Sequence, residues 1–372
     1  MKLLTVLGAR PQFVKAGPLS RALRQAGHQE IIVHTGQHYD PLLSEVFFEE
    51  LELPRPDVNL GVGSASHGVQ TGRMLAGLDP ILQAHAPDWV LVYGDTNSTL
   101  AAAVTASKLH QKIAHVEAGL RSLNRQMPEE VNRIVADHLS DLLLCPTAAA
   151  VSHLEREGLK HRAVLTGDVM FDAFLQYRQL AESRATGVTQ KWCAGQFALA
   201  TVHRAENTDN PERLFAILRA LERIAATVCP VVLPLHPRTR KLLEQSQYQP
   251  REITLTPPVS YLDMILLESR ARMILTDSGG VQKEAYFARV PCITLRDETE
   301  WVETLENGCN VLTAAHEERI VEAALQVSTG GPWTAVYGNG RAGQAVVSAL
   351  LTHENGRSVD PCHPQQLSKK VP

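Results

Sequence analysis

Short apolar runs rich in β-branched residues alternate along this chain with longer segments whose apolar positions follow a helical period. In the first half, the apolar runs predict strands at residues 2–8, 30–36, 89–95, 112–117, 141–146 and 163–169. The segments between them predict helices at residues 67–86, 97–110, 128–140 and 147–158. Strands that alternate with helices are typical of parallel βαβ units, so we expect an α/β fold.

The same alternation restarts after a helix and a polar connection within residues 171–196. It predicts strands near residues 197–203, 230–235, 252–256, 272–277, 291–296 and 310–313. A chain of 372 residues exceeds the roughly 250–300 at which single cores stop growing. We therefore expect two Rossmann-like, doubly wound domains, residues 1–170 and 171–353, that face each other across a cleft. The last helix, 340–353, can pack back on the first domain, and the polar residues 354–372 are expected to form a disordered tail.

Charge and composition narrow the function classes. The net charge is -4 and the pI is about 6.4, which gives no support for a nucleic-acid partner. The 6 cysteines are scattered without a CxxC pair, which argues against a disulfide framework and a structural zinc. The N-terminus lacks a signal-peptide core, and no stretch approaches the roughly 20 apolar residues of a membrane span. We expect a cytoplasmic protein without membrane contact.

Polar residues of unusual type follow the predicted strands. They are Arg10, Gln37–His38, Asp95, Glu117, His203, His236 and residues 277–280. Ligands of open α/β sheets bind beyond the carboxyl ends of the strands. This coincidence predicts an active cleft between the two halves.

The sequence TDSGG ends a predicted strand and opens a helix. Gly279 and Gly280 allow close backbone approach, and the unpaired N–H groups of the helix start attract anions, so a diphosphate fits there with Ser278 as an extra donor. Glu284, one turn further, can accept hydrogen bonds from ribose hydroxyls. The alternative is a glycine turn that only caps a helix. The chain has no GxxxxGK[ST] motif, which argues against a P-loop nucleoside triphosphatase.

Two cations flank the turn after the first predicted strand. Arg10 and Lys15 can neutralise a diphosphate leaving group, Arg10 through a planar fork and Lys15 as a point charge. The alternative is a solvated pair at a helix start.

Three carboxylates lie in neighbouring predicted loops: Asp95, Glu117 and Glu129. Removing a weakly acidic C–H proton and returning one on the other face requires positioned acid–base groups, and neighbouring carboxylates can hold different protonation states. Asp95 can instead cap the helix that follows it. Glu129 can instead complement the dipole of the helix that starts at Pro128.

Histidines follow two strands of the second half. His203, with Arg204 beside it, can donate to a phosphate or to a departing group. His236 can orient a ligand or can be a structural residue. In the first half, Gln37 and His38 can order a loop or form a second ligand site.

Eight motifs together resemble one family, the non-hydrolysing UDP-N-acetylglucosamine 2-epimerases, which are built like GT-B glycosyltransferases. The resemblance covers residues 2–353, and the motifs are GARPQFVKAGPL, HTGQHYD, GDTNST, HVEAGLRS with MPEEVNR, VHRAEN, HPRTR, TDSGGVQKEA and LRDETEWVE. Their common order makes the match specific, although each motif alone would be weak.

The resemblance implies anti elimination of UDP to a 2-acetamidoglucal, followed by protonation of C2 on the opposite face and re-addition of UDP. It implies no metal and no nicotinamide or other cofactor, because the reaction has no net redox change. The partner is a UDP-sugar, and the family is typically a homodimer.

The residue roles that the resemblance implies follow the motifs. Acid–base and catalytic roles fall to Asp95, Glu117, Glu129 and His203. UDP-sugar binding falls to Arg10, Lys15, Arg204, Ser278, Gly279, Gly280 and Glu284. A second, activating UDP-N-acetylglucosamine contact, known in some bacterial relatives, would use Gln37, His38, Arg73 and His236.

The match has three departures. Many members have Glu at the position of Gln12, Glu at the position of Lys283, and TERPE where residues 299–303 read TEWVE. The chain therefore also resembles relatives that epimerise UDP-2,3-diacetamido-2,3-dideoxy-glucuronic acid. The sequence favours UDP-N-acetylglucosamine as substrate, with the uronic acid derivative as the alternative. A GT-B glycosyltransferase and a non-catalytic sugar-nucleotide binder are the competing function classes. Lys283 can suit an acidic sugar or can be a solvated helix residue.

Overall fold

The computed structural model describes residues 1–37, 48–49, 51–53, 55–184, 187–246, 248–306, 308–327 and 333–354. His38 and the predicted tail beyond residue 354 lie outside the described residues.

The strands, in chain order, are β1 (Lys2–Leu7), β2 (Gln29–His34), β3 (Val58–Asn59), β4 (Trp89–Tyr93), β5 (Ile113–Val116), β6 (Leu142–Cys145), β7 (Ala163–Leu165), β8 (Ala198–Thr201), β9 (Val231–Pro234), β10 (Thr254–Thr256), β11 (Met273–Thr276), β12 (Cys292–Thr294) and β13 (Asn310–Leu312). The predicted strands are confirmed, mostly with earlier ends, because the polar residues that follow them form loops. The two-residue strand β3 was not predicted, since it is too short to show a periodic pattern.

The helices, in chain order, are α1 (Arg10–Gln25), α2 (His67–His85), α3 (Asn97–Lys108), α4 (Pro128–Leu139), α5 (Ala148–Arg156), α6 (Val169–Ser183), α7 (Gly187–Gln190), α8 (Ala205–Thr208), α9 (Pro211–Thr227), α10 (Pro237–Gln245), α11 (Tyr261–Arg270), α12 (Gly279–Ala288), α13 (Glu317–Gln326) and α14 (Ala342–Glu354). Short 3₁₀ helices cover Lys160–Arg162 and Val302–Thr304. In the part of the chain that the structure describes, no helix has the length and apolar character needed to span a membrane.

Each half of the strand list forms its own sheet. The first sheet has the order β3-β2-β1-β4-β5-β6-β7 and the second has the order β10-β9-β8-β11-β12-β13. All pairs are parallel. Sheets of this kind are covered on both faces, which explains the continuous apolar runs WVLVY in β4 and LLLC in β6. The prediction of two Rossmann-like α/β domains is confirmed.

The chain divides into two compact units, one of residues 1–175 with the segment from residue 335 onward, and one of residues 176–334. The domain boundary expected from the sequence lay at 170/171, and it assigned residues up to 353 to the second domain. The returning segment ends in α14, which packs on α1. Gly343 makes this possible, because a Cβ there would lie 3.3 Å from the carbonyl oxygen of Pro18.

The core of the first unit lies on both faces of its sheet. One face packs Leu3, Trp89 and Leu144 against α1 and α14, and the other packs Leu4 and Val90 against α2 and α3. In the second unit, the corresponding apolar layers cover both faces of β8, β9 and β11. Because these strands are rigid and buried, the loops at their carboxyl ends have fixed starting points.

Candidate active site

The loop after β1 is held by a buried glutamine. The side-chain oxygen of Gln12 accepts hydrogen bonds from the backbone N–H groups of Gly8 (2.8 Å) and Ala9 (3.0 Å). Its side-chain nitrogen donates to the carbonyl oxygen of Tyr93 (2.9 Å) and to the hydroxyl of Thr99 (3.1 Å). The amide therefore ties the loop after β1 to the end of β4, and a carboxylate could not donate to that carbonyl.

Two candidate residues form a buried ion pair in the first unit. The Lys15 ammonium binds the Glu117 carboxylate, and both side chains are nearly inaccessible to solvent. Glu117 has a φ of 69°, a left-handed conformation that is uncommon for a residue other than glycine and that often marks functional positions. A solvated position is therefore wrong for Lys15, whereas Arg10 is exposed at the first residue of α1.

The pair lies against the turn that carries the next carboxylate. A Cβ at Gly94 would be 3.1 Å from a Glu117 carboxylate oxygen and 3.2 Å from the Lys15 ammonium nitrogen. Gly94, with a φ of 61°, directly precedes Asp95. The structure thus brings Lys15, Glu117 and the Gly94–Asp95 turn together at the carboxyl ends of β4 and β5.

Asp95 forms an ion pair with Arg133 of α4, and its carbonyl oxygen accepts a hydrogen bond from the side chain of Asn132 (2.9 Å). It does not cap α3. The cap is Thr96, whose hydroxyl accepts a hydrogen bond from the backbone N–H of Thr99 (3.3 Å). The capping alternative for Asp95 is therefore wrong, and its carboxylate is directed to α4.

Glu129 occupies the second position of α4 and is exposed. This position complements the helix dipole and leaves the carboxylate accessible to a ligand. Its neighbour Glu130, which the sequence did not single out, is buried and accepts hydrogen bonds from the backbone N–H groups of Ser122 (2.9 Å) and Leu123 (3.0 Å). Glu130 also binds Arg133 at 3.1 Å. It therefore stabilises the loop before α4 and, unlike Glu129, is not accessible to a ligand.

Gln37 lies at the start of α3. Its side-chain oxygen accepts hydrogen bonds from the backbone N–H (3.0 Å) and the hydroxyl (2.7 Å) of Ser98. Next to Ser98, the side chain of Asn97 donates a hydrogen bond to the side chain of Gln70 of α2 (2.8 Å). Arg73, also on α2, is exposed. The first unit therefore places Gln37 and Arg73 near the start of α3 and on α2.

In the second unit, Asp277 organises the loop after β8. Its carboxylate accepts hydrogen bonds from the backbone N–H groups of His203 (3.1 Å) and Arg204 (3.0 Å) and from the side chain of Asn207 (3.1 Å). It also lies 3.2 Å from Nδ1 of His203. Asp277 is fully buried, so it fixes both the backbone and the ring of His203.

His236 lies next to His203, with ring centroids 5.5 Å apart. It caps α10, because its Nδ1 accepts a hydrogen bond from the backbone N–H of Arg238 (3.2 Å). Partial burial, and then the charges of His203 and Arg238, lower the pKa of His236 below its ordinary value of 6.5. His236 is therefore a neutral hydrogen-bonding group at neutral pH.

Helix α12 begins at Gly279, and the hydroxyl of Ser278 caps it by accepting a hydrogen bond from the backbone N–H of Val281 (3.4 Å). A Cβ at Gly279 would lie 2.6 Å from a carboxylate oxygen of Glu300, so a larger residue there would displace this carboxylate. Gly280 is open, with the Ser278 hydroxyl 3.8 Å from a Cβ position. The helix start keeps accessible N–H groups for an anion.

Glu300 carries negative charge beside that helix start. Burial alone would raise the pKa of Glu300, but the charges of Arg296 and Arg204 bring it below its ordinary value. Arg296 also donates to it at 2.9 Å.

Glu284 accepts a hydrogen bond from the hydroxyl of Tyr261 (2.9 Å) and is almost fully buried. Glu268 of α11 lies beside it and is completely inaccessible. Burial, and then the negative charge of Glu284, raise the pKa of Glu268 well above its ordinary value. Within this pair of buried carboxylates, the environment of Glu268 therefore favours its protonated form.

Lys283 is buried, with 2% of its surface exposed, so the interpretation as a solvated helix residue is wrong. Its ammonium nitrogen lies 4.1 Å from the ring centroid of Trp301, a cation–π contact. The ring nitrogen of Trp301 lies 3.3 Å from a Cβ position at Gly279. Two departures from the common family pattern, Lys283 and Trp301, therefore contact each other next to the start of α12.

The candidate residues fall into two groups, each at the carboxyl ends of strands in its own unit. The first unit holds Arg10, Lys15, Asp95, Glu117 and Glu129, and the second holds His203, Arg204, Ser278, Gly279, Gly280 and Glu284. Sequence reasoning missed the supporting residues Glu130, Arg133 and Glu268, because each acts through side-chain contacts that the spacing along the chain does not show. Asp277 was included among the strand-end residues because it directly follows β11, but its support of His203 was not predicted.

Two Rossmann-like parallel sheets, each with polar groups at the ends of its strands, are the architecture of the GT-B structural class. The model of the UDP-N-acetylglucosamine 2-epimerase family matches residues 21–351, so the chain belongs to this family. The UDP-2,3-diacetamido-2,3-dideoxy-D-glucuronate 2-epimerase of Pseudomonas aeruginosa is 50% identical over 94% of this chain and 99% of its own. A UDP-N-acetylglucosamine 2-epimerase homolog of Methanococcus maripaludis is 47% identical over 94% of this chain and 99% of its own.

A solved structure extends the match to three dimensions. The crystal structure of Methanocaldococcus jannaschii UDP-GlcNAc 2-epimerase in complex with UDP-GlcNAc and UDP has a TM-score of 0.83 and 42% identity to this chain. The match covers 95% of this chain and 100% of the chain in that crystal structure. The expected family, the GT-B type fold and the epimerase activity class are thereby confirmed.

Proposed function

We propose that this enzyme inverts C2 of UDP-2,3-diacetamido-2,3-dideoxy-D-glucuronate. The observation that carries the proposal is the 50% identity, over 94% of the chain, to a relative with that activity. The sequence alone favoured UDP-N-acetylglucosamine, but the relatives named for that substrate or as its homolog are 47% and 42% identical. The comparisons therefore support the alternative substrate better.

The departures from the common pattern support an acidic sugar. Lys283 and Trp301 form one contact beside the start of α12, so the two changes act as a unit. A cation replaces the carboxylate that is common at position 283, and a neutral indole replaces the arginine that is common at position 301. Two such changes alter the local charge pattern next to the proposed diphosphate site, where the uronate carboxylate adds negative charge to the ligand.

The reaction is an elimination followed by an addition. A carboxylate removes the C2 proton while the C1–O bond breaks and its electron pair leaves with UDP, which gives a glycal. A proton then returns to the opposite face of C2, and UDP re-forms the bond at C1. Asp95, Glu117 and Glu129 are the proposed acid–base groups, and the ion pair of Glu117 with Lys15 supports a charged carboxylate there.

UDP binding is proposed for two groups of residues, one in each unit. Arg10, Lys15 and His203 are proposed to bind the diphosphate or to stabilise departing UDP, with Arg204 as a further ligand. The residues Ser278–Gly280 would bind phosphate at the helix start, and Glu284 would accept from the ribose hydroxyls. The hydrogen bond from Tyr261 and the raised pKa of the neighbouring Glu268 support Glu284 as an oriented acceptor.

The deciding experiment offers the purified enzyme each substrate in deuterated water. NMR should show solvent deuterium at C2 and a second anomeric signal, with faster turnover of the diacetamido-glucuronate than of UDP-N-acetylglucosamine. The variants Asp95→Asn and Glu117→Gln should bind UDP but lose deuterium exchange by about 100-fold or more. Transfer of the sugar to an acceptor with release of UDP, and without exchange at C2, would instead identify a glycosyltransferase. UDP-sugar binding without any turnover would identify a binding protein.

A second experiment tests the substrate preference. The double variant Lys283→Glu/Trp301→Arg restores the common pattern and should shift the ratio of kcat/KM values toward UDP-N-acetylglucosamine. Lys160→Glu, a charge reversal at an exposed ion pair in the first unit, is the matched control and should leave the ratio unchanged. An unchanged ratio in the double variant would contradict a role of this pair in substrate choice.

Regulation and assembly stay predictions from the sequence. A second UDP-sugar contact would use Gln37, Arg73 and His236. We then expect the rate to depend sigmoidally on substrate concentration in the wild type and hyperbolically in Arg73→Ala. The predicted homodimer is checked by sedimentation equilibrium.

A further inference from the structure

A buried chain of charged groups lies beneath the candidate carboxylates of the first unit. Nδ1 of His115 is 2.7 Å from the Asp137 carboxylate, and its Nε2 is 2.7 Å from the carbonyl oxygen of Gly94. Arg121 donates to the other oxygen of Asp137 at 2.7 Å and forms two bonds to Glu157. His115 and Asp137 are completely inaccessible to solvent, so these contacts do not exchange with water.

The hydrogen-bond partners of His115 indicate which of its ring nitrogens must donate. A backbone carbonyl oxygen can only accept, so Nε2 must carry a proton to bind Gly94. Burial alone would raise the pKa of Asp137, but His115 and Arg121 bring it below its ordinary value, so the carboxylate is charged and also accepts. Nδ1 faces that carboxylate, so each ring nitrogen of His115 faces an acceptor, and the two bonds together call for a donor on both.

This arrangement joins the two loops that carry Asp95 and Glu117. The Nε2 bond fixes Gly94, the residue before Asp95. On the other side, Asp137 accepts a hydrogen bond from the backbone N–H of Gly119 (3.2 Å), two residues beyond Glu117. The turn after β4 and the turn after β5 are thus each held by one member of the His115–Asp137 pair.

We propose that His115 and Asp137 are a positioning pair that sets the distance between Asp95 and Glu117 for proton transfer at C2. The inference rests on the proposed function. Neither residue contacts the ligand, and both act through the two loops. A displacement of about 1 Å in a reacting group can cost about 100-fold in rate, so a pair that fixes two such groups has a large effect on kcat and a small one on KM.

The kinetic test uses His115→Gln, which can donate from one nitrogen to one of the two acceptors. We expect kcat per UDP-binding site to fall by about 100-fold with nearly unchanged UDP affinity. The matched control is Asp141→Asn, because Asp141 accepts a hydrogen bond from the backbone N–H of Ile113 (2.8 Å) at the opposite end of the same strand. The control should retain kcat.

The double variant His115→Gln/Asp137→Asn separates positioning from stability. His115→Gln leaves two carboxylates, Asp137 and Glu157, on the single cation Arg121. Replacing Asp137 by Asn removes this excess buried negative charge, so the midpoint of unfolding should recover toward the wild-type value. The value of kcat should stay low, because the His115 side chain that bridges the two loops is still missing. Recovery of kcat together with stability would overturn the proposal and leave the pair with a structural role.

A readout without turnover distinguishes this inference from the proposed function. Nitrogen-15 NMR of the ring of His115 should show protons on both nitrogens at neutral pH, and a crystal structure of His115→Gln should show Asp95 and Glu117 further apart or rotated. A wild-type enzyme without C2 exchange on either substrate would refute the proposed function but would leave these two measurements valid. A singly protonated ring, or unmoved carboxylates in the variant, would refute the positioning pair.

Discussion

Gly119 lies two residues after Glu117, and its replacement by alanine should damage both the fold and the turn that carries this carboxylate. Its φ is 82°, in the left-handed region, where a residue with a Cβ loses about 1–2 kcal/mol. A Cβ would also lie 2.5 Å from the carbonyl oxygen of Ala150 and 2.9 Å from its carbonyl carbon. These atoms belong to the backbone of α5 and cannot rotate away.

The size of the effect follows from these two contributions. Overpacking against an ordered backbone typically costs about 1–3 kcal/mol, so Gly119→Ala should reduce the free energy of unfolding by about 2–5 kcal/mol. Gly158→Ala is the matched control, because Gly158 has a φ of 77° but no atom within 4 Å of its Cβ position. It should lose the conformational part alone, about 1–2 kcal/mol.

Urea unfolding followed by far-UV circular dichroism measures both losses, with separate transitions fitted if the two units unfold independently. The folded Gly119→Ala enzyme should also lose exchange of the substrate C2 hydrogen with solvent, because the turn that carries Glu117 must move away from α5. Equal losses of stability in the two variants would show that the backbone of Ala150 does not exclude a side chain, and would refute the reasoning.

Three further substitutions test the buried charges. Lys15→Met leaves the Glu117 carboxylate buried without its cation and should cost about 3–5 kcal/mol of stability, part of which Lys15→Met/Glu117→Gln restores; equal stability of the single and double variants in urea would contradict a buried pair. Glu268 has a raised pKa in the folded state, so the unfolded chain binds fewer protons above pH 4.5 and stability falls as pH rises toward the folded pKa. The free energy of unfolding of Glu268→Gln, relative to that of the wild type, should therefore be higher at pH 8 than at pH 5. Urea unfolding at both pH values measures this difference, and an equal difference at the two pH values would argue against the raised pKa. Asp277→Asn weakens hydrogen bonds to a charged acceptor, each worth about 1.5–3 kcal/mol, and should weaken UDP binding in calorimetry, whereas unchanged affinity would show that His203 needs no such support.

The fold was predictable because the apolar runs of a parallel sheet are continuous and the helices between them are periodic. The site was predictable as a set of strand ends, since Asp95, Glu117 and His203 each follow a strand. The direction of each side chain was not predictable. Thr96 rather than Asp95 caps α3, because the Asp95 carboxylate is held by an arginine of α4 that lies 38 positions later in the chain.

Gln12 and Lys283 show why departures from a family pattern need coordinates. In sequence, each is a change of charge at one position. In the structure, the amide of Gln12 accepts from two backbone N–H groups and donates to a backbone carbonyl, a combination that suits a neutral amide. Lys283 is buried under Trp301, so its contribution depends on a residue 18 positions away along the chain.

The return of α14 to the first unit has a consequence for synthesis on the ribosome. Val346 and Leu350 of this helix complete the apolar layer that contains Leu3 and Leu19, yet the whole of residues 176–334 is translated in between. At about 5–20 residues per second, these roughly 160 residues delay closure of that layer by about 8–30 s. During this interval the nascent first unit exposes an apolar face that a chaperone can bind, while the second unit has its complete sequence and can fold first.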